Sequence, residues 1–264
     1  MPRGVNRYDE AELQSRLWSP FSIRLALWLD ASDLSTITVA TGVSEWRDKS
    51  GNTGNATQAT AGNQPSLVLN RLNTRSVLSF NGTTHFLSLP LASAMGEVYT
   101  AFFAFTTGPT IIDSTQRPLW AEEPSSGDNT KNYFAFNYFN GLFYDQFPPS
   151  GISIGTGVNT FTNVSAISTL RQTASNSRSL IVNGLLIGTA NEQYSGLTIT
   201  KVSIGSRTST AGARYNGQIA EIIVVGSALS LADYQKVEGY LSWKWGIPLT
   251  TNHPYINRPP LIGD

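Results

Sequence analysis

Few residues in this chain have the types and spacing to do acid–base or metal chemistry. Cysteine is absent and the two histidines, His85 and His253, lie far apart, so neither a thiolate nucleophile nor a zinc site with ligand spacing can be assembled. Glycoside hydrolysis needs two carboxylates converging on one bond, about 5 to 10 Å apart. The adjacent pair Glu122-Glu123 precedes Pro124-Ser125-Ser126-Gly127 and reads as part of an exposed loop. Oxygen ligands for calcium could come from Asp48, Asn52 and Asn55, or from Asp113 and Asp128, although capping of turns explains the same residues. Asp48 and Asn52 are the calcium candidates; no other cofactor is expected.

Binding chemistry is better represented. Between Asn132 and Phe147 aromatic residues crowd around Asn140-Gly141, a hairpin signal. Strand alternation puts Tyr133, Ala135, Asn137 and Phe139 on one face and Phe134, Phe136 and Tyr138 on the other. One face belongs to a core. The other, with Trp120, Tyr144 and Asp145, offers stacking surfaces beside amide and carboxylate groups, which is what a sugar needs. Trp120, Tyr133, Asn137, Tyr138, Tyr144 and Asp145 are therefore the candidate carbohydrate site, and burial of both faces by packing stays open as the alternative. Trp28, Trp46, Trp243 and Trp245 read as core or lid residues.

The elements that must position these residues are strands. Gly, Ser, Thr and Asn are plentiful and aromatics reach 11%, the composition of turns and pleated strands. Roughly a dozen short strands recur with turn signals about every 8 to 12 residues, as in a sandwich or barrel. Thr41-Gly42 and four Asn-Gly pairs, at 81–82, 140–141, 183–184 and 216–217, read as turns, with Gly42 supplying a positive φ. A helix is predicted over 230–245, with Ser230 as N-cap, and it covers the sandwich; a Pro-rich tail follows over 248–264.

Residues 1–20 differ, with helix formers up to Pro20 and Leu13 and Leu17 four apart. This arm either packs on its own domain or anchors the chain elsewhere through Tyr8, Leu13, Leu17 and Trp18. Charged residues are 14% and balance to zero, so no field draws a nucleic acid or an anionic membrane. No apolar run reaches the length of a membrane helix, and no leader is recognised, so assembly in a reducing cytoplasm is expected.

Several segments together resemble the laminin G-like, or concanavalin A-like, jelly-roll superfamily over residues 25–247. They are Phe80-Asn-Gly-Thr-Thr-His-Phe-Leu87, the strand pair around Asn183-Gly184, and Tyr215-Asn-Gly-Gln-Ile-Ala-Glu-Ile-Ile-Val-Val225 with Ala228-Leu-Ser230. Leu27-Trp-Leu-Asp-Ala-Ser-Asp33, Val43-Ser-Glu-Trp-Arg-Asp-Lys-Ser-Gly-Asn52, Ala56-Thr-Gln-Ala59 and the 243–255 tail are similar to a subgroup frequent in tailed phages and large bacterial surface proteins. The resemblance implies an all-β, antiparallel two-sheet jelly-roll sandwich over 21–247. It also implies a non-enzymatic virion protein: a tail- or fibre-associated adhesion module that binds host surface glycan, or a capsid decoration protein making protein contacts alone. Other virion proteins and further copies of the chain are its expected partners, and a glycan-degrading enzyme is disfavoured.

Overall fold

The computed structural model describes residues 16–90, 98–109, 117–124, 135–139, 142–147, 152–155, 163–174, 177–191, 199–207 and 213–264. Seventeen strands among them form two antiparallel sheets. The first sheet contains β1 (Leu27–Asp30), β5 (Ser66–Leu72), β6 (Arg75–Asn81), β8 (Tyr99–Thr107), β13 (Ser165–Ala174), β14 (Ser177–Val182), β15 (Leu185–Ala190) and β17 (Asn216–Val225). The second runs in the order β12 (Ile152–Gly155), β11 (Leu142–Phe147), β10 (Ala135–Phe139), β9 (Arg117–Pro124), β16 (Ile199–Ile204), β7 (Leu87–Leu89), β4 (Ala56–Thr57), β3 (Val43–Trp46) and β2 (Ile37–Val39). One helix, α1 (Leu231–Trp245), follows β17. The all-β sandwich expected from the turn spacing is the observed architecture.

The central strands β8 and β17 of the first sheet are buried on both faces, which is why they read as unbroken apolar runs. Phe103, Phe105, Ile222 and Val224 point into the core between the sheets, with Trp46, Trp120, Leu87 and Ile204 of the second sheet. Phe102, Ala104, Ile223 and Val225 point the other way, against Val237, Leu241 and Trp245 of α1 and Ile247 and Leu249 of the tail. The helix is set by its caps: Ser230 Oγ accepts from the Asp233 amide at 3.2 Å, and Gly246 takes the left-handed conformation that ends it.

Local signals were correct in some places and overridden in others. Asn183-Gly184 makes the predicted tight turn, both residues at positive φ, between β14 and β15. Asn81-Gly82 lies instead where the chain passes from the first sheet to the second, and Asn81 Oδ1 there accepts from the amides of Thr83, Thr84 and His85. Asn216-Gly217 begins β17, where a Cβ on Gly217 would lie 2.4 Å from the Thr106 carbonyl, so close backbone approach requires the glycine. Gly42 sits in a β2–β3 hairpin without positive φ; a Cβ there would meet Pro65 O at 2.8 Å. Strands β5, β9 and β12 have no counterpart among the sequence expectations, and Glu122 lies in β9, 3% exposed, rather than in an open loop.

Candidate functional site

Among the described residues the helix and tail pack over the middle of the first sheet, and the outer face of the second sheet is a further broad β surface. Cross-strand register carries one lateral row across all nine of its strands: Thr38, Glu45, Thr57, Ser88, Ser203, Ala121, Ala135, Gln146 and Ser153. Eight spacings of about 4.8 Å make this row roughly 38 Å long. Its residues are small or polar because alternate positions, such as Leu87, Ile204 and Trp120, turn into the core. Thr38 and Thr57 are exposed, Ser88 is half-buried, and Ser203 and Ala121 are buried, so the row passes from an open end to a sheltered centre.

The open end carries a connected polar group. Glu45 accepts from Asn55 Nδ2 at 3.1 Å and from Thr38 Oγ1 at 3.3 Å, and Arg47 Nη1 lies 3.4 Å from its carboxylate. Hydroxyls, an amide, a carboxylate and a guanidinium thus lie side by side on a flat backbone, a donor and acceptor set that matches the hydroxyls of a sugar. Sequence reasoning missed this site because its members are scattered along the chain and individually ordinary.

The aromatic hairpin is present as β10 paired with β11. Asn137 is registered opposite Tyr144, Tyr138 opposite Phe143 and Asp145 opposite Phe136. Trp120 is fully buried in the core, with its ring 5.7 Å from that of Phe103, and is corrected from an exposed stacking residue to a core residue. Tyr133 lies outside the described residues. Of the tryptophans read as core or lid, Trp28, Trp46 and Trp245 are buried while Trp243 is 45% exposed, with its indole N–H donated to Tyr255 O at 2.8 Å.

The arm candidates divide similarly. Tyr8 and Leu13 lie outside the described residues. Leu17 bridges to Leu261, and Trp18 is buried against the helix face, its ring 6.2 Å from that of Tyr240. Trp18 is therefore corrected from a free anchor to part of the domain's own packing. The calcium candidates are also engaged: Asp48 accepts from the amides of Trp28, Ser50 and Gly54 and from Ser50 Oγ, and Asn52 donates to Leu25 O. These hydrogen bonds organise the loop around β1, and no three metal-ligating groups converge among the described residues.

The densest charge lies under α1. A β-bulge at Ile219/Glu221 in β17 turns Glu221 toward the helix beside its cross-strand neighbour Asp30. Glu221 is completely buried and its carboxylate receives four donors: Trp28 Nε1 at 2.6 Å and Tyr240 OH at 3.1 Å on Oε1, Trp245 Nε1 at 2.6 Å and Lys244 Nζ at 2.8 Å on Oε2. Lys244 Nζ also lies 2.8 Å from Asp30 Oδ1, and Lys49 Nζ lies 2.9 Å from both Asp30 Oδ2 and Asp33 Oδ2. Burial raises the pKa of Glu221 against the pull of Lys244, whereas at Asp30 burial is outweighed by Lys244 and Lys49, which hold it at about 2. Burial, reinforced by the nearby Glu221 charge, raises Tyr240 well above the ordinary phenol value.

A second buried network fastens the tail. Glu238 accepts from Thr169 Oγ1 at 2.6 Å and lies 3.1 Å from His253 Nε2, while His253 Nδ1 accepts the Tyr255 amide at 3.3 Å. The ring therefore carries a proton on Nε2 and donates it to Glu238. His253 is a tail-packing residue. His85 is half-buried beside Ser79 O, and desolvation lowers its pKa.

No family model and no curated protein sequence matches the chain. Solved structures do. The fold is similar to Trypanosoma rangeli sialidase in complex with sialic acid, with a TM-score of 0.61 and 18% identity over 83% of this chain and 33% of that one. It is also similar to a botulinum neurotoxin type C chain whose cell entry depends on interaction with two ganglioside molecules, with a TM-score of 0.59 and 12% identity over 92% of this chain and 57% of that one. The chain thus spans about a third of the sialidase chain it matches. At these identities the likeness shows the β-sandwich fold. It also overturns the expectation that this chain is no enzyme, since that expectation drew on the company the fold keeps and the sandwich occurs within sialidase chains.

Proposed function

We propose that this domain is a carbohydrate-binding β-sandwich module and that the glycan lies across the outer face of the second sheet. The observation that carries the reading is the lateral row from Thr38 through Glu45 and Thr57 to Ser88, a connected polar surface at the open end of a sheet face against which, among the described residues, neither α1 nor the tail packs. The sialic acid of the sialidase complex and the gangliosides of the toxin support a glycan as ligand. Asn137 and Tyr144 are paired across β10 and β11 of the same sheet. A role in adhesion on a phage particle rests on the sequence resemblance, and locating the protein in intact particles tests it.

The test is a glycan array, including sialylated and ganglioside-type sugars, probed with the purified chain. Specific binding is expected, with loss on Thr57→Arg, which lays a long side chain across the exposed part of the row. Absence of binding to every sugar at millimolar concentration, or binding unchanged by Thr57→Arg, would overturn the reading.

A further inference from the structure

The charged cluster under α1 has the composition and geometry of a reaction site that acts on the chain itself. We propose that Lys244 and Asp30 condense to an intramolecular amide, a cross-link between the last turn of α1 and the end of β1 that the folded chain forms unaided.

Three contacts carry the inference. The amine and the carboxylate are held together, with Lys244 Nζ 2.8 Å from Asp30 Oδ1. Lys49 Nζ sits 2.9 Å from the other oxygen, Oδ2, where negative charge gathers when nitrogen adds to the carboxyl carbon. Glu221 Oε2 lies 2.8 Å from the same Lys244 nitrogen, inside a wall of Trp28, Trp245 and Tyr240. Aromatic enclosure excludes water from Glu221, and the raised pKa of this carboxyl suits it to accept a proton and return it.

The atoms balance without any co-reactant. The ammonium of Lys244 passes one proton directly to Asp30 Oδ1, leaving a neutral amine and a carboxylic acid. Nζ bonds to Cγ, and the tetrahedral adduct places its charge on Oδ2 against Lys49. Glu221 takes a second proton from the nitrogen and delivers it to Oδ1, the Cγ–Oδ1 bond breaks, and Oδ1 departs as water. One proton remains on the amide nitrogen, and Glu221 returns to its starting state. Conversion replaces a desolvated ion pair by a neutral amide, which removes the penalty of keeping both charges out of water. Asp30 is favoured over Glu221 as the acceptor because Lys49 activates it, whereas the indoles and Tyr240 hold Glu221 with no cation on its far oxygen.

Mass spectrometry of the denatured wild-type chain decides the matter. The expected mass is that of the sequence less one water, and fragmentation should give a branched peptide joining Asp30 to Lys244. Lys244→Arg, which keeps the positive charge but not the amine nucleophile, is expected to retain its full sequence mass. In Glu221→Gln, water loss followed over time after refolding should slow by about a hundredfold or more. A folded wild-type chain that keeps its full mass on prolonged incubation would overturn the proposal, and so would a branch point at Glu221 or Lys49. Because the readout is covalent mass, it is independent of whether the open face binds sugar.

Discussion

The two outer faces of this sandwich use polar residues in opposite ways. Over the first sheet, charge is driven inward: Asp30 and Glu221 lie beneath α1, each of their oxygens answered by an ammonium, an indole, a hydroxyl or a backbone donor. At the open end of the second sheet polar groups stay at the surface, and Glu45, Arg47 and Thr38 interact at 3.3 to 3.4 Å in solvent. Buried polar groups must be satisfied from within the chain, and their geometry is then fixed. Exposed ones are held loosely and remain able to exchange partners with a ligand. The difference gives the helix side a fixed geometry and leaves the open end as the face on which the proposed recognition rests.

The sharpest way to break that comparison is to remove the carboxylate at its centre. Glu221→Ala leaves two indole N–H groups, a phenol and Lys244 without their common acceptor in a fully buried space. The expected loss is about 3 to 5 kcal/mol in chemical denaturation. A loss below about 1 kcal/mol would mean that the cluster contributes little to the helix side.

Next in size is the packing of the tail on the helix. A Cβ at Gly239 would lie 2.7 Å from the Tyr255 ring, whereas one at Gly226 would meet only Ala26 at 4.0 Å. Gly239→Ala should therefore cost up to about 3 kcal/mol by overpacking, and Gly226→Ala should be close to neutral. Equal melting temperatures for the two variants would show that the tail gives way freely and does not hold α1 in place.

Acid separates the two states of the cluster. In the ion-paired form the pKa of Asp30 is depressed from 3.8 to about 2. Its stabilisation is thus fully present above pH 3.8 and is lost as pH falls through about 2, a contribution of about 2 kcal/mol. Glu221 acts with the opposite sign: its raised pKa means that stability falls as pH rises above its ordinary value of 4.5. Measured unfolding free energies should pass through a maximum near these values. A chain cross-linked through Asp30 lacks the acidic limb, so comparison with Lys244→Arg tells the two forms apart.

Much of the helix side was legible in the sequence, and little of the recognition side was. The apolar run of β17, the Ser230 cap and the Asn183-Gly184 turn are local signals whose information lies within a few residues. Strand β9 was hidden because Glu122, Glu123 and Pro124 read as a loop, although Trp120 and Glu122 are both buried there. The charged cluster joins residues as far apart as Asp30 and Lys244, and the bulge that turns Glu221 under the helix leaves no mark in the pattern of its strand. The open row was invisible for a related reason: each strand contributes a single residue, mostly serine, threonine or alanine with Glu45 and Gln146 among them, and register alone lines them up.

The smallest expected effect on stability tests the open face. Glu45→Gln keeps the size of the side chain and one carbonyl acceptor, for Asn55, while the oxygen that faces Thr38 and Arg47 becomes an amide donor and the charge is lost. Both partners of that pair are partly exposed, with side-chain accessibilities of 31% and 45%, so stability should change by no more than about 0.5 kcal/mol. Glycan affinity should nevertheless fall by about tenfold, equivalent to ~1.4 kcal/mol, because charge-assisted hydrogen bonds to sugar hydroxyls become neutral ones. A variant that binds as well as wild type but melts several degrees lower would reverse the assignment. Glu45 would then belong with Asp30 and Glu221 among the groups that hold the sandwich together, and recognition would have to be sought nearer Asn137 and Tyr144 on the hairpin.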